Sequence, residues 1–498
     1  MNTSFKDATY DEVDTSMKNA WQAFRQYRQK NLKERAQFLH SIAVELESIA
    51  DELIATAQSE TNLEEGRLRV ELKRTIFQLN SYANACAEGT WLDIRIDTAV
   101  PDRNPPKPDL RKMLVPLGPV VVFGASNFPF AYSTAGGDTA SALAAGCSVI
   151  IKAHPAHAGT SEGVAEAIQK AAKKNNLPDS VFTHLHGAGF EVGKALVQHP
   201  LTKAVGFTGS FEGGKALFDL ANQRPEPIPV FAEMGSVNPV FLLPQKVKQD
   251  TGAIAAMYAA SITQSAGQFC TNPGLLVGID DDNLEAFKRS LAIQIQKVKP
   301  AKMLHAGIAR NFHQKREKAL AEEGVMVAAV TEVEAKEEES IPTLAEVGAD
   351  IFLQNPLLHK EVFGPFSLLV KCKDLSQMLQ VIFAMEGQLT ATLIATEGEV
   401  NEQPRLVEAL KDICGRLIFD GVPTGVEVAL AMQHGGPYPA TTDSRYTSVG
   451  ADSIKRFARP VCYQNWPNHL LPEELRNENR LHIWRTVNNE LTKEPIMH

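Results

Sequence analysis

Residues 120–152 read VVVFGASNFPFAYSTAGGDTASALAAGCSVIIK. The apolar run Val120–Phe123 stops at a glycine, an Ala-rich stretch with helix-forming spacing covers 134–145, and a second apolar run covers 148–152. The same rhythm continues through candidate strands at 181–185, 203–207 and 228–231, with another helical pattern at 160–174. Short strands joined by helical crossovers predict an α/β fold with a Rossmann-type, doubly wound parallel sheet. Ligands of such sheets bind beyond the carboxyl ends of the strands, next to helix N-termini.

Upstream, the first ninety residues read as helices. Asn31 can cap a pattern carrying Leu32, Leu39, Ile42, Leu46, Ile49 and Leu53. Pro101, Pro105, Pro106 and Pro108 then mark an extended connection. Downstream, a second unit begins near Asn238, with a helix over 251–264, a turn at 270–274 and the apolar strand Leu275–Ile279. The acidic cluster 331–340 reads as a solvated loop or helix end. After Pro460, Cys462, Tyr463, Trp466, Leu470 and Leu471 make an apolar terminus, which either docks on another subunit or packs on its own domain.

The chain has 498 residues, 44% hydrophobic and 22% charged, enough to bury a multilayered core without disulfide or metal staples. A net charge of −9 argues against nucleic acid or an anionic membrane as partner. No apolar run is long enough to span a bilayer and no signal-type core opens the chain, so a cytoplasmic protein is expected. The six cysteines lie far apart, without a C-x-x-C pair or a histidine at zinc spacing, so no metal is expected.

Four places can carry chemistry. Cys270, in Gly267-Gln268-Phe269-Cys270-Thr271, follows a helical stretch and precedes turn residues, where a thiolate could be presented to a cleft. Taken alone, such a cysteine is more often a small buried hydrophobe. Glu233 ends an apolar strand, where desolvation would raise its pKa and make it a usable base; a solvated strand-end charge is the plainer reading. Asn127 follows the first strand, and its amide could steady an oxyanion or merely cap a turn. In 206–214, glycines and Ser210 join a strand to a helix, a place for a dinucleotide phosphate, although the G-x-G-x-x-G pattern is absent.

Taken together and in order, Asn127-Phe128-Pro129, the strand-ending Lys152, Gly206-Phe207-Thr208-Gly209-Ser210, Glu233-Met234-Gly235, Gly267-Gln268-Phe269-Cys270 and Glu361-Val362-Phe363-Gly364-Pro365 resemble the aldehyde dehydrogenase superfamily. The resemblance covers nearly the whole chain. It implies a cofactor domain over 1–236 (with 101–114 in an oligomerisation arm), a catalytic domain over 237–452 and a C-terminal oligomerisation segment over 453–498. It also implies that Cys270 is the nucleophile, that Asn127 and the Cys270 N–H form an oxyanion hole, and that Glu233 activates the water that cleaves a thioester. By the same resemblance NAD or NADP is the cofactor, with Lys152 on the adenosine ribose, Gly209 and Ser210 on the pyrophosphate, Glu361 on the nicotinamide ribose and Phe363 beside the nicotinamide. A homodimer or homotetramer and a small aldehyde substrate follow from the same likeness.

Two segments depart from the family pattern. Glu233-Met234-Gly235-Ser236-Val237 replaces E-L-G-G-K, and Pro437-Tyr438-Pro439-Ala440-Thr441-Thr442-Asp443-Ser444-Arg445 replaces the usual C-terminal loop. These departures, with Gly136-Gly137-Asp138, look like the branch containing bacterial α-ketoglutarate semialdehyde (2,5-dioxopentanoate) dehydrogenases and a fatty-aldehyde-oxidising relative. α-Ketoglutarate semialdehyde is the expected substrate, a fatty or other aliphatic aldehyde the alternative. Coenzyme A acylation and a non-enzymatic relative are alternatives of other classes. Phe128 and Phe269 flank the reacting residues as substrate-contact candidates, and Arg445 is the candidate cation for a substrate carboxylate, unless it is an ordinary surface arginine. Pro155 stands where many NAD-using relatives carry a carboxylate, so NADP is expected to be tolerated, with Lys152 and His154 offering charge or donors. His154-Pro155 can equally be no more than a chain turn.

Overall fold

In the computed structural model, which describes residues 5–497, the apolar runs become a five-stranded, fully parallel sheet. Its spatial order is Phe182–Leu185, Val149–Lys152, Val120–Phe123, Ala204–Thr208, Val230–Glu233. The chain winds outward from Val120–Phe123 in both directions, so the switch point lies between that strand and Ala204–Thr208. Val120, Val121, Val122, Ile150 and Ile151 are buried, as a sheet covered on both faces requires.

Val120–Phe123 forms as expected and the other four strands form with their ends shifted slightly, while the helices run Gly137–Ala145 and Ala158–Lys174. Gly146 ends the first of these at φ 98°, with its N–H on the Ala142 and Leu143 carbonyls. Asn31 caps the helix Leu32–Ser48 as expected, through a capping box with Glu34. Leu53 is not part of that helix. The backbone leaves the helical region at Ile49 (φ −119°, ψ 19°), and Leu53 belongs to the helix Ala50–Thr61.

Beyond Asn238 a seven-stranded sheet runs in the order Met326–Val330, Thr343–Gly348, Phe366–Cys372, Leu275–Ile279, Val240–Leu242, Gln388–Ile394, Cys414–Phe419. It is parallel except at its Met326–Val330 edge. The helix expected over 251–264 extends back to Pro244, as Pro244–Thr263. The acidic cluster 331–340 connects two strands with no helix of its own.

The apolar terminus pairs with its own chain. Ala458–Gln464 lies antiparallel to Leu110–Pro116, and Arg485–Val487 parallel to Arg95–Asp97, in a third sheet completed by Glu490–Thr492. Leu471 is buried beneath it, whereas Trp466 and Leu470 stay half exposed. Among the described residues, no helix is long and apolar enough to cross a membrane.

Candidate active site

The nucleophile candidate is delivered by a strained turn. After the helix Pro244–Thr263, Ser265 (φ 48°), Ala266 (φ 55°) and Gly267 (φ 64°) are all left-handed, a conformation that costs non-glycine residues about 1–2 kcal/mol each. The turn is held from several directions. A Cβ on Gly267 would lie 2.3 Å from the Gly364 carbonyl carbon, so the turn packs backbone to backbone on the Glu361–Pro365 segment. Asn272 Nδ2 donates to the Gly364 carbonyl (3.1 Å), and Asn238 Nδ2 to the Cys270 carbonyl (2.9 Å). The Gln268 side chain accepts from the Leu304 N–H. These contacts over-determine the turn, the condition under which such strain persists.

Around the thiol two groups converge. Cys270 Sγ lies 3.7 Å from His434 Nε2, and the same nitrogen lies 3.0 Å from Glu233 Oε1. Both neighbours are almost completely buried. Glu233 is the last residue of Val230–Glu233, and Ser448 donates to its Oε2 at 2.8 Å. Burial pushes the Cys270 thiol well above its ordinary value, with the Glu233 carboxylate adding to the effect. Burial also pushes Glu233 up, but His434, Ser448 and the thiol together outweigh it and hold the carboxyl below its ordinary value. The raised pKa expected for Glu233 from desolvation is therefore reversed. The balance places the proton on sulfur and the charge on carboxylate, an acid and its acceptor in contact.

His434 escaped the sequence reading. It is 164 residues from Cys270, and no local pattern marks it. It lies just before the loop Pro437–Arg445 that departs from the family pattern, with its N–H on the Thr447 hydroxyl and its carbonyl accepting from the Ser448 N–H. That loop runs along the edge of the cofactor sheet, with the Met234 N–H on the Ala440 carbonyl (2.8 Å) and the Thr442 N–H on the Ala232 carbonyl (3.1 Å). It therefore braces the strand that ends in Glu233. Glu233, Cys270 and His434 also bring ligand atoms within 4.8 Å of one another, as do Glu162, His184 and His186 elsewhere.

Asn127 Nδ2 donates to the Gln268 carbonyl at 3.1 Å, which ties the amide to the nucleophile turn and leaves its second N–H. Phe128 and Phe269 meet edge to face at 5.5 Å beside it. Arg445 is not brought to this group. Its guanidinium is 78% exposed and forks onto the Asp443 carboxylate, which answers its charge at the surface. The cations that do approach are Arg67, over the Phe128 and Phe269 rings, Arg74, over Tyr132, and Arg416.

On the other side a pocket is lined by Ser236, Asn272, Glu361 and Phe363 among others. Burial pushes Glu361 up to about 7. A Cβ on Gly235 would meet its Oε2 at 2.7 Å, so the glycine makes room for the carboxylate where it now lies. Ser210 caps the helix Phe211–Asn222 by accepting from the Gly213 N–H, and the Gly209 N–H donates to the Glu233 carbonyl. Lys152 ends its strand, with its ammonium pushed down by burial and favoured by Asp7. Pro155 opens the turn before the helix Ala158–Lys174. His154 accepts from the Ala156 N–H through Nδ1, and burial, with His157 and Lys152 near, pushes it well below the usual imidazole range. It offers a neutral N–H donor and no cation.

A doubly wound sheet facing a largely parallel second sheet across a partly buried thiol fits an α/β oxidoreductase acting on aldehydes. The chain belongs to the aldehyde dehydrogenase family, whose model matches residues 2–429. It is 48% identical to "Alpha-ketoglutaric semialdehyde dehydrogenase 2" of Azospirillum brasilense over 97% of this chain and 92% of that one. It is 45% identical to "Alpha-ketoglutaric semialdehyde dehydrogenase" of Acinetobacter baylyi over 98% and 93% respectively. Among solved structures, a 1-pyrroline-5-carboxylate dehydrogenase from Thermus with bound NAD superposes with a TM-score of 0.79 at 21% identity, covering 92% of this chain and 86% of that one. The fold is likewise shared with a glyceraldehyde-3-phosphate dehydrogenase of Methanocaldococcus jannaschii complexed with NADP (TM-score 0.77, 19% identity, 92% and 95% covered).

Two outcomes follow from this geometry. Gly267→Ala, which forces a Cβ into the Gly364 backbone, should lower kcat/KM at least about 100-fold, the scale of a small misplacement of reacting groups, while circular dichroism shows a folded chain; wild-type kcat/KM in a folded variant would contradict the packing. Replacing Glu233 by Gln removes the negative neighbour of the thiol, so alkylation of Cys270 by iodoacetamide, located by peptide mass, should shift to lower pH. A shift to higher pH would mean that the carboxylate does not govern the thiol.

Proposed function

We propose that the chain oxidises an aldehyde to a carboxylate through a thioester on Cys270, with α-ketoglutarate semialdehyde as substrate and α-ketoglutarate as product. The observation that carries the mechanism is the contact of Cys270 Sγ with His434 and Glu233 in a buried site. The names of the two relatives near half identity support the substrate.

In this reading the thiol proton passes to the Glu233–His434 pair as Sγ bonds to the aldehyde carbon. The oxygen takes up negative charge beside the second Asn127 N–H and the Cys270 N–H, donors already in place. A bound nicotinamide cofactor supplies what no side chain can, a hydride acceptor. The first proton leaves to solvent, which frees Glu233 to take a proton from water as the water oxygen attacks the thioester carbon; the C–S bond breaks, the acid departs, and that second proton returns to the Cys270 sulfur. Glu233 within reach of the sulfur favours water over coenzyme A as acceptor of the acyl group.

Three features fit the cofactor: the close approach that glycine permits at Gly235 and Glu361, the buried Asn272 Oδ1 without a protein partner, and the capped helix start at Ser210. Gly209 and Ser210 would hold the pyrophosphate, Lys152 and His154 the adenosine end, Glu361 the nicotinamide ribose, and Phe363 the nicotinamide side. Residues 1–236 then carry the cofactor, 237–452 the nucleophile, and 453–498, with 101–114, the arm through which copies assemble as a dimer or tetramer. The half-exposed Trp466 and Leu470 suit that arm.

Glu233→Gln should slow thioester hydrolysis about 10²–10⁴-fold, the range for a lost general base, and by more than it slows hydride transfer. Rapid mixing should show a burst of reduced cofactor followed by slow turnover; steady turnover at the wild-type rate would remove Glu233 from the mechanism. NADP should be accepted, because Pro155 leaves no carboxylate at that position to repel a 2′-phosphate. A KM for NADP about 100-fold above that for NAD, or about 2.7 kcal/mol, would contradict this. Pro155→Glu should weaken NADP selectively, and equal loss for both cofactors would argue against the assigned position.

A further inference from the structure

The helix Glu65–Glu88 carries Arg67 and Arg74 seven residues apart, about two turns, and so on one face. Arg67 lies 4.9 Å over Phe128 and 5.4 Å over Phe269, the neighbours of Asn127 and Cys270, and its Nη2 donates to the Asn127 carbonyl. Arg74 lies 5.3 Å over the Tyr132 ring and reaches the Tyr132 hydroxyl, and that ring packs against His434 at 5.9 Å. Arg416 comes from the other sheet, on Cys414–Phe419, and is near enough to Cys270 for its charge to favour the thiolate. Its Nη groups are spent on the Gly425 and Pro423 carbonyls.

Each of the three keeps one buried nitrogen without a protein partner: Arg67 Nη1, Arg74 Nη1 and Arg416 Nε. Arg485 Nε, in the small sheet, is in the same state, so an orphaned nitrogen alone decides nothing. Convergence of three on one thiol is the informative feature. Among the described residues only one carboxylate approaches them as an ion pair, Glu71, 4.0 Å from Arg67. Its Oε1 accepts from the Phe130 and Ala131 N–H groups, while Oε2, on the Arg67 side, has no hydrogen-bond partner, and burial pushes this carboxyl up, toward its neutral form, so at most one negative charge faces three guanidinium groups. Buried guanidinium groups with open donors and too few carboxylates are costly unless an anion joins them, and their planar fork matches a carboxylate.

We infer that Arg67, Arg74 and Arg416 form the receptor for the carboxylate end of the substrate, so that the enzyme selects short aldehyde acids over alkyl aldehydes. The inference rests on the reading of Cys270 as nucleophile, which fixes the aldehyde end. The aromatic walls of Phe128, Phe269 and Tyr132 would flank the carbon chain between the two ends. An alkyl aldehyde would leave the three cations unanswered.

The test compares Arg67→Gln, Arg74→Gln and Arg416→Gln with wild type on α-ketoglutarate semialdehyde and on pentanal. The expected result is a fall in kcat/KM for the acid that exceeds any fall for pentanal by at least about 100-fold, or about 2.7 kcal/mol. Equal loss on both substrates would mean that the arginines only brace the backbone, and would overturn the inference. A second arm needs no variant and no turnover: glutarate should protect wild-type Cys270 from iodoacetamide, and neutral glutaramide should not. Equal protection by the two, or none by glutarate, would also overturn it. Cys270→Ala separates the two readings. Oxidation that survives that change sinks the thioester mechanism, whereas glutarate binding to the same variant, read by calorimetry, tests the arginine receptor alone.

Discussion

A buried carboxylate is tolerable only when its surroundings answer its charge, and the arrangement at Glu233 follows from that constraint. The answering groups come from distant parts of the chain: His434 and Ser448 from one long connection, and the Cys270 thiol from a strained turn. None of them gains this place from local sequence. The loop from Pro437 to Thr442 lies along the edge of the five-stranded sheet and holds the strand ending in Glu233, while Thr447 and Ser448, further along the same connection, hold the backbone of His434. A preorganised acid–base pair of this kind is what a nucleophile with an elevated pKa requires, because proton transfer can then accompany attack.

Two rigid sheets meet at this point. The parallel cofactor sheet ends at Glu233, while the seven-stranded sheet and its turns hold Cys270 through Asn238, Asn272 and Gly364. Glycine is required at Gly267, which is left-handed and where the Gly364 backbone occupies the space of a Cβ, and Gly235 makes room for the Glu361 carboxylate, so the Cys270 turn and the Glu361 pocket adjoin. The helix bearing Arg67 and Arg74 closes the site from another direction. Sites on rigid elements hold reacting atoms more accurately than sites on free loops.

The cofactor sheet was legible because its signal is local: Val120–Phe123 and Val149–Lys152 are short apolar runs separated by a helical spacing, and the structure moves only their ends. Cys270, Glu233 and Asn127 were legible as a set in the order that a family resemblance supplies. His434 was not, since an isolated histidine reads as surface or core until the fold brings it to sulfur. Arg445 failed for the opposite reason: sequence displays a cation in an unusual loop but hides that Asp443, two residues away, already answers it. The sign of the Glu233 shift was likewise hidden, because desolvation is legible at a strand end while compensating partners are tertiary. Arg67 and Arg74 carry a helical spacing, but nothing local says that their face looks onto a nucleophile.

The central claim is that Cys270 carries the acyl group while Glu233 releases it. Intact and peptide mass spectrometry of Glu233→Gln, quenched in acid moments after mixing with α-ketoglutarate semialdehyde and NADP, tests it most directly. The account predicts a mass gain equal to the acyl group, on the Cys270 peptide alone and reversed by hydroxylamine. Cofactor reduction with an unmodified Cys270, or an adduct on another residue, would contradict it.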